Sequence, residues 1–244
     1  MDIPIYLINL DRDAKRLAFV DGQLKEFGIA YTRFSAFLGT DIPDWLKPLF
    51  LDGSGRIAAE LTAGEVGCYA SHLAVMKLIA EGQRPAVVLE DDIKLYCGFL
   101  DYISMALASA PNDMEMLKLT LTEVRKSFVV RDLGSGRHLV KYRKVPLGAG
   151  AYLITPLAAQ KFLSFKLQRS IPFDQEFRRP WHSPLTVYGL TPPPIEQNHQ
   201  PSAIETFGPL PVKRRFHKPS FARIPYEIGW FIGALRSQFS KGRI

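Results

Sequence analysis

Residues 85–92 read Pro-Ala-Val-Val-Leu-Glu-Asp-Asp, a short apolar run that ends abruptly in three carboxylates. A run without alternating polar residues is typical of a strand in a parallel sheet, because helices cover such a strand on both faces. The carboxyl end of that strand lies at the edge where open α/β sheets bind their ligands. This stretch therefore predicts an α/β fold with an acidic site at one edge of the central sheet.

Strand-like and helix-like segments alternate on both sides of this stretch, as is typical of an α/β domain with a mostly parallel sheet. Residues 62–65, Thr-Ala-Gly-Glu, have the spacing of a capping box, which marks the start of a helix. Eleven of the 18 prolines fall within residues 172–225, so we predict extended chain there without regular strands or helices. The predicted strands are 3–10, 31–37, 85–89, 114–121, 127–130 and 149–154, and the predicted helices are 14–27, 64–80, 97–109 and one beginning near Pro156.

The positive charge of the chain is confined to one end of the sequence. The formal net charge of the 244 residues is +7. Residues 209–244 contain eight Lys/Arg and one acidic residue, which sum to +7, so residues 1–208 sum to zero. A neutral body with a basic segment does not indicate a general nucleic-acid binder. We therefore divide the chain into a neutral domain, 1–208, and a basic tail, 209–244.

The basic tail also carries an apolar stripe at helical spacing, which predicts an amphipathic helix on an anionic membrane surface. A helix packed on the protein's own core or on a second subunit is the alternative. Because Asp2 stands where an export signal needs a basic residue, we expect a cytoplasmic protein. Together with the amphipathic tail, this predicts a peripheral protein on the inner face of the cytoplasmic membrane. The stripe consists of Ile224, Ile228, Phe231, Ile232, Leu235 and Phe239.

The three adjacent carboxylates of Glu90, Asp91 and Asp92 repel one another, and a bound divalent cation relieves that repulsion. Oxygen ligands of this kind suit Mg²⁺ or Mn²⁺, and both ions bridge to phosphates. Residues two apart on a strand point the same way, so Glu90 and Asp92 can converge on one ion. The alternative is a structural acidic turn in which Asp91 or Asp92 caps a helix.

Several other kinds of site have no support in the sequence. There is no G-x-x-x-x-G-K-[ST] and no G-x-G-x-x-G after the first strand, which argues against kinases and dinucleotide-dependent oxidoreductases. The two cysteines form no Cys-x-x-Cys pair, so a disulfide framework or a structural zinc cluster is not expected. Ser71 and His72 lack a G-x-S-x-G context, and on the residues alone His72 and Cys68 are interpreted as core residues of a helix.

Five segments in the same order and at plausible spacing resemble glycosyltransferase family 25, over about residues 3–205. This family contains lipopolysaccharide and lipooligosaccharide biosynthesis transferases and is similar to collagen galactosyltransferases. The five segments are Ile8-Asn9-Leu10-Asp11-Arg12 with Arg16, Gly64-Glu65-Val66-Gly67-Cys68-Tyr69-Ala70-Ser71-His72, Val88-Leu89-Glu90-Asp91-Asp92, Gly150-Ala151-Tyr152-Leu153-Ile154 and Pro172-Phe173-Asp174.

The resemblance implies a GT-A type, Rossmann-like domain that binds a nucleotide sugar. It also implies inverting transfer of galactose or glucose from a UDP-sugar, with Mn²⁺ (or Mg²⁺), to a lipid-linked lipopolysaccharide or oligosaccharide acceptor. Glu90 and Asp92 then match the metal ligands of the family. His199 is a further metal ligand only by analogy with a late histidine of some GT-A enzymes, and a solvent-facing loop histidine is the alternative.

The resemblance also implies residues that would contact the donor nucleotide, at the end of the first strand and in the helix after it, in the helix at 64–80, and in the acidic triplet. For Arg12 and Arg16 the alternative is a solvated helix face. The residues expected to bind the donor are Asn9, Arg12, Arg16, Ser71, His72 and Asp91.

An inverting transfer needs a base that takes the proton of the acceptor hydroxyl. Asp174, in the Pro-x-Asp segment of the family, is our candidate, and the alternative is that it N-caps a short helix at 175–178. The sequence departs from the family at 202–204, where Ser-Ala-Ile replaces the frequent Ser-Asp-Ile, so any role of that aspartate is missing or moved. Two other functions stay open: a metal-dependent nucleotidyltransferase, and an inactive family member that acts as a membrane-associated adaptor.

Overall fold

The acidic stretch ends a buried strand of the central sheet. The computed structural model describes residues 3–121, 126–165, 167–179 and 185–197. In order along the chain the elements are β1 (Ile5–Asn9), α1 (Ala14–Glu26), β2 (Thr32–Ser35), α2 (Lys47–Phe50), α3 (Ala63–Gly82), β3 (Ala86–Glu90), β4 (Ile93–Leu95), α4 (Phe99–Ala108), β5 (Met116–Lys118), β6 (Ser127–Asp132), β7 (His138–Tyr142), β8 (Ala151–Ile154), α5 (Pro156–Leu163), α6 (Phe173–Glu176), β9 (Val187–Thr191) and β10 (Ile195–Gln197).

Eight of these strands form one sheet in the order β2-β1-β3-β8-β5-β9-β7-β6. β1 pairs in parallel with β2 and β3, and β5 pairs in parallel with β9. β8 and β7 run against their neighbours, so six of the eight strands share one direction. The prediction of an α/β fold with a Rossmann-like, mostly parallel sheet is therefore confirmed, and the two reversed strands make the sheet mixed.

The alternating side chains of β3 enter two separate apolar clusters, one on each face of the sheet. Val88 packs in the cluster that contains Leu73 of α3 and Phe162 of α5. Val87 and Leu89 pack in the cluster that contains residues of α1 and α4. Helices thus cover both faces, which explains why the strand is apolar at every position up to the sheet edge.

The capping box is confirmed, because the Thr62 side chain accepts from the Glu65 backbone and the Glu65 side chain accepts from the Thr62 backbone. α3 continues two residues beyond the predicted end, through Gly82, and Gln83 follows it with a φ of 57°. This long, buried helix runs behind the acidic edge of the sheet and brings Cys68 and His72 to Glu90.

The prediction that 172–225 lacks regular structure is wrong for its described part. α6 lies there, and β9 is an inner strand of the sheet between β5 and β7. Proline density misled the prediction, because Val187–Thr191 contains no proline and Pro192 begins directly after the strand ends. β10 follows and pairs antiparallel with β4, outside the main sheet.

Three predicted features lie outside the described residues: His199, the 202–204 segment and the basic tail, 209–244. In the part of the chain that the structure describes, no helix combines the length and the apolar character that a membrane span requires.

Candidate active site

The carboxyl ends of β1 and β3 lie side by side and bring the predicted polar residues together. The parallel register pairs Ile8 with Glu90, so Asn9 lies next to the acidic stretch. On the other side of β3, the backbone N–H of Glu90 donates to the carbonyl of Gly150 at 2.8 Å. The site is therefore a sheet edge between the β1–α1 connection and the residues that precede β8.

Asp91 points toward α1 and is held by two donors. Asn9 Nδ2 donates to its Oδ2 at 2.7 Å, and Arg16 Nη1 donates to its Oδ1 at 3.1 Å. Burial raises the pKa of Asp91, while the Asn9 hydrogen bond and the Arg16 charge oppose that rise. Asn9 is fixed in turn, because Arg33 donates twice to its Oδ1, at 3.0 and 2.9 Å. Of the predicted donor-binding residues, Asn9, Arg16 and Asp91 thus form one connected group.

Glu90 points to the opposite side, toward α3. Its Oε1 lies 2.9 Å from Nε2 of His72, and Nδ1 of His72 lies 3.0 Å from the Tyr152 hydroxyl. The Phe173 ring stacks on the His72 imidazole at 4.2 Å between centroids and 9° between planes. His72 is fully buried, so its ring is fixed from both sides and orients the Glu90 carboxylate.

Asp92 is the third carboxylate of the acidic stretch, and its two oxygens differ in their surroundings. Its Oδ2 accepts from Gln197 Nε2 at 3.2 Å, whereas its Oδ1 is buried and has no hydrogen bond among the described residues. Burial, followed by the charge of Glu90, raises the pKa of Asp92 from 3.8 to about 7. An unsatisfied buried acceptor beside a second carboxylate fits a bound divalent cation, since a cation would satisfy the oxygen and offset the repulsion.

Cys68, which the sequence analysis interpreted only as a core residue, lies beside His72 and Glu90. It lies one helical turn before His72, and its Sγ, a ring nitrogen of His72 and a carboxylate oxygen of Glu90 all lie within 4.8 Å of one another. Burial raises the pKa of the Cys68 thiol well above its usual value, and Glu90 and Asp174 add to the shift. The i, i+4 spacing of a cysteine and a histidine on one helix was the signal that could have identified it.

Asp174 lies on α6, directly after the Phe173 ring that stacks on His72. Its Oδ2 accepts from the Gly148 backbone N–H at 2.8 Å. The alternative that Asp174 N-caps a helix at 175–178 is wrong, because α6 begins at Phe173 and Pro172 is its N-cap residue.

A buried lysine, Lys118, fixes the backbone of residues 146–148, which precede β8. Lys118 Nζ donates to the carbonyls of Pro146 and Leu147, both at 3.0 Å, and also to that of Gly148. In the Gly148-Ala149-Gly150 segment, a Cβ on Gly150 would lie 3.1 Å from Cδ of Gln197, so the backbone there packs closely against that side chain. This segment therefore borders both Asp92, through Gln197, and Asp174.

Two predicted donor-binding residues lie apart from the carboxylates. The Ser71 hydroxyl is buried, donates to the Gly67 carbonyl at 2.7 Å and accepts from the Phe37 backbone N–H at 2.9 Å. Arg12 is an exposed residue in the connection between β1 and α1, with its Nε 3.9 Å from an Asp13 carboxylate oxygen. Ser71 thus attaches the segment after β2 to α3.

Comparisons with known proteins agree with this arrangement of segments. Residues 2–176 match the model of glycosyltransferase family 25, described as LPS biosynthesis protein. A "Glycosyltransferase 25 family member" from Aedes aegypti is 30% identical over 189 residues, which cover 70% of this chain and 30% of that protein. The chain thus spans about a third of the length of that curated relative.

Among solved structures, the crystal structure of A197 from STIV covers 78% of this chain and 81% of its own, at 12% identity and a TM-score of 0.43. The family model spans most of the chain and includes the β1 end, α3, the acidic triplet and Asp174. The chain belongs to glycosyltransferase family 25.

Proposed function

We propose that this protein transfers a hexose, galactose or glucose, from a UDP-sugar to a lipid-linked saccharide acceptor with inversion at the anomeric carbon, on a GT-A type domain. The observation that carries the proposal is the buried Oδ1 of Asp92, which lies beside Glu90 at the carboxyl edge of the sheet and has no hydrogen-bond partner in the part of the chain that the structure describes. That edge is where open α/β sheets bind nucleotides.

Glu90 and Asp92 are the residues that would hold Mn²⁺ or Mg²⁺, with His199 as a further candidate ligand. When bound, the ion would neutralise the diphosphate of the donor and the charge that develops on the departing UDP. His72 makes a hydrogen bond to the Glu90 carboxylate, and Gln197 makes one to the Asp92 carboxylate, so both would support the metal ligands as outer partners. Such outer contacts fix the direction in which a ligating oxygen points.

Asn9, Arg16 and Asp91 line the donor side of the site in this proposal. Their mutual hydrogen bonds present a fixed polar surface next to the metal ligands, and Arg12 adds a solvent-facing cation. Ser71 and His72 contribute by position, because both side chains are fully buried behind this surface. A preformed surface of this kind orients a nucleotide without reorganising the protein.

Asp174 is the proposed base. The acceptor oxygen forms its bond to the anomeric carbon while the bond from that carbon to the UDP oxygen breaks, and the hydroxyl proton passes to the Asp174 carboxylate. The Gly148 N–H holds one oxygen of this carboxylate at 2.8 Å and so fixes its direction. A base that acts on the acceptor must lie on the face opposite the leaving group.

A panel of UDP-sugars with Mn²⁺, scored by nucleotide release with and without saccharide acceptors, tests the function directly. Acceptor-dependent release of UDP with one hexose donor is expected. Pyrophosphate release from nucleoside triphosphates would instead indicate a nucleotidyltransferase, and no release with any donor would indicate an inactive adaptor.

Metal binding is expected to depend on pH in a defined direction. The pKa of Asp92 is about 7 in the folded chain and 3.8 without burial, so the folded state binds the extra proton between these values. The free energy of unfolding of the metal-free chain should therefore fall as pH rises from about 4 to about 7. Because Mn²⁺ replaces that proton, the increase in Tm on adding Mn²⁺ should be larger at about pH 8 than at about pH 5.

Thermal melting with and without EDTA across this pH range measures the effect. Asp44→Asn is the control, because its carboxylate is 94% exposed and lies on the surface beside Lys47. A Mn²⁺-induced increase in Tm that is the same at both ends of the range contradicts the assignment of Asp92 as a ligand.

The basic tail is proposed to bind an anionic membrane surface. Each basic residue near such a surface contributes about 1 kcal/mol. Replacing Lys213, Arg214 and Arg215 by glutamine should therefore weaken binding to anionic vesicles by roughly two orders of magnitude. Truncation after Gly208 should abolish the binding, and added salt should weaken the binding of the intact chain.

Sedimentation with phosphatidylglycerol-containing vesicles measures this binding. The control removes the same charge from the domain, through Lys25→Gln, Lys47→Gln and Lys77→Gln at exposed surface lysines. Equal loss of binding in both triple variants, or undiminished binding after truncation, would count against a role of the tail.

A further inference from the structure

Cys68, His72 and Glu90 bring three different metal-ligating groups together at one point. A sulfur, a ring nitrogen and a carboxylate oxygen lie within 4.8 Å of one another. Cys68 and His72 share one face of α3 because they are four residues apart, and Glu90 reaches them from the end of β3. This Cys68–His72–Glu90 cluster adjoins the proposed Mn²⁺ site and has Glu90 in common with it.

The ligand chemistry of the cluster differs from that of the carboxylates. Thiolate and imidazole ligands favour Zn²⁺, whereas carboxylate oxygens favour Mn²⁺ and Mg²⁺. We infer that the cluster is a regulatory Zn²⁺ site that withdraws Glu90 from the Mn²⁺ site, so that Zn²⁺ inhibits sugar transfer. The Zn²⁺ site stands on the cluster alone, and only its inhibitory effect rests on the proposed function.

The surroundings of His72 are suited to a metal-bound imidazole. Nε2 faces the Glu90 carboxylate at 2.9 Å, and Nδ1 lies 3.0 Å from the Tyr152 hydroxyl. With its single proton on Nδ1, donated to the Tyr152 oxygen, the neutral ring presents Nε2 to the ion. A partner on the second ring nitrogen is a regular feature of histidine ligands, since it fixes the tautomer and the ring orientation.

The charge around Cys68 also favours a cation. Glu90, Asp174 and Asp92 all lie within electrostatic reach of its sulfur. Binding of Zn²⁺ breaks the S–H bond and forms an S–Zn bond, and the proton leaves to the buffer. The negative surroundings, which disfavour a bare thiolate, are neutralised by the incoming divalent ion.

Co²⁺ in place of Zn²⁺ tests the site without any measurement of transfer, because a thiolate bound to Co²⁺ gives a near-ultraviolet charge-transfer band. The chain has two cysteines, and Cys97 is exposed, so Cys97→Ser leaves Cys68 as the only thiol. The band is expected in the wild type and in Cys97→Ser, and equimolar Zn²⁺ should remove it. Its absence from Cys97→Ser overturns the assignment, whatever the folding of other variants.

Cys68→Ser should lose the band, and Tyr152→Phe should weaken Co²⁺ binding about 10- to 100-fold, as for other outer partners of ligating histidines. Retention of the band in Cys68→Ser overturns the site. In the transfer assay, Zn²⁺ should inhibit the wild type and Cys97→Ser in competition with Mn²⁺, and Cys68→Ser should need at least about tenfold more Zn²⁺. A Zn²⁺ site without inhibition would disprove the regulatory role alone, whereas an inactive protein that shows the band would count against the proposed function alone.

Discussion

Asp92→Asn is expected to abolish Mn²⁺-dependent sugar transfer and yet to stabilise the metal-free fold at about pH 8. Loss of a partner that only orients a ligand reduces metal affinity or activity about 10- to 100-fold, so loss of a ligating carboxylate should lower kcat/KM by more than about 10²-fold. The stabilisation follows because the pKa of Asp92 is raised to about 7 by burial and by Glu90, and asparagine carries no charge to bury. A loss of activity caused by misfolding would lower Tm instead of raising it.

Kinetics with excess Mn²⁺ and thermal melting in EDTA measure the two effects on the same preparation. Asp44→Asn again serves as the control, with neither effect expected from its exposed carboxylate. Wild-type transfer by Asp92→Asn in the presence of EDTA would refute the metal assignment.

The acidic edge could be predicted because strand and site lie in one continuous stretch. Residues 85–92 contain both the buried strand and its three carboxylates, and the apolar pattern is decided locally by helices on both faces. The contact between Asn9 and Asp91, 82 residues apart, is explained by the sheet, because parallel neighbouring strands end at the same edge. The sequence analysis named Asn9 from the family resemblance, and the contact itself comes from the structure.

The contacts of Glu90 and Asp92 could not be predicted in this way. Tyr152 reaches His72 because β8 pairs antiparallel with β3, and Gln197 reaches Asp92 because β10 pairs antiparallel with β4. The direction of a strand and the identity of the strand it pairs with depend on how distant segments pack. The apolar pattern of a single strand therefore predicts neither its direction nor its partner. Proline density, a local signal, gave the wrong answer at β9 for the same reason.

Cys68 shows how one residue supports two interpretations. On the sequence it is a small residue on a buried helix face, and in the structure it is half-buried on α3. What changes the interpretation is Glu90, which arrives from another strand and completes a set of three ligand atoms. The spacing of Cys68 and His72 within α3 suggests two of the ligands. The third, Glu90, is identified only when β3 is placed beside α3.

Asp174→Asn is expected to lower kcat by roughly 10²- to 10⁴-fold, the usual contribution of a general base, while the KM for the donor changes little. The substitution preserves the local structure, because an asparagine Oδ1 can accept from the Gly148 N–H as the carboxylate does at 2.8 Å. It removes only the ability to take a proton. With Mn²⁺ kept saturating at each pH, so that protonation of Asp92 does not limit the rate, the pH profile separates the two roles. Loss of a base removes the acidic limb of kcat, whereas a positioning defect lowers kcat at every pH.

Steady-state kinetics with separate variation of donor and acceptor measure this effect. The matched control is Glu176→Gln, two residues later on α6, which replaces a buried carboxylate of the same helix by its amide. Glu176→Gln should retain the acidic limb even if its rate falls, because the Gly148 N–H donates to Asp174, the proposed base, and that carboxylate is unchanged in this variant. If Asp174→Asn instead weakens UDP-sugar binding and keeps kcat, Asp174 belongs to the donor side, and the base must be sought among residues that approach the acceptor face from another element.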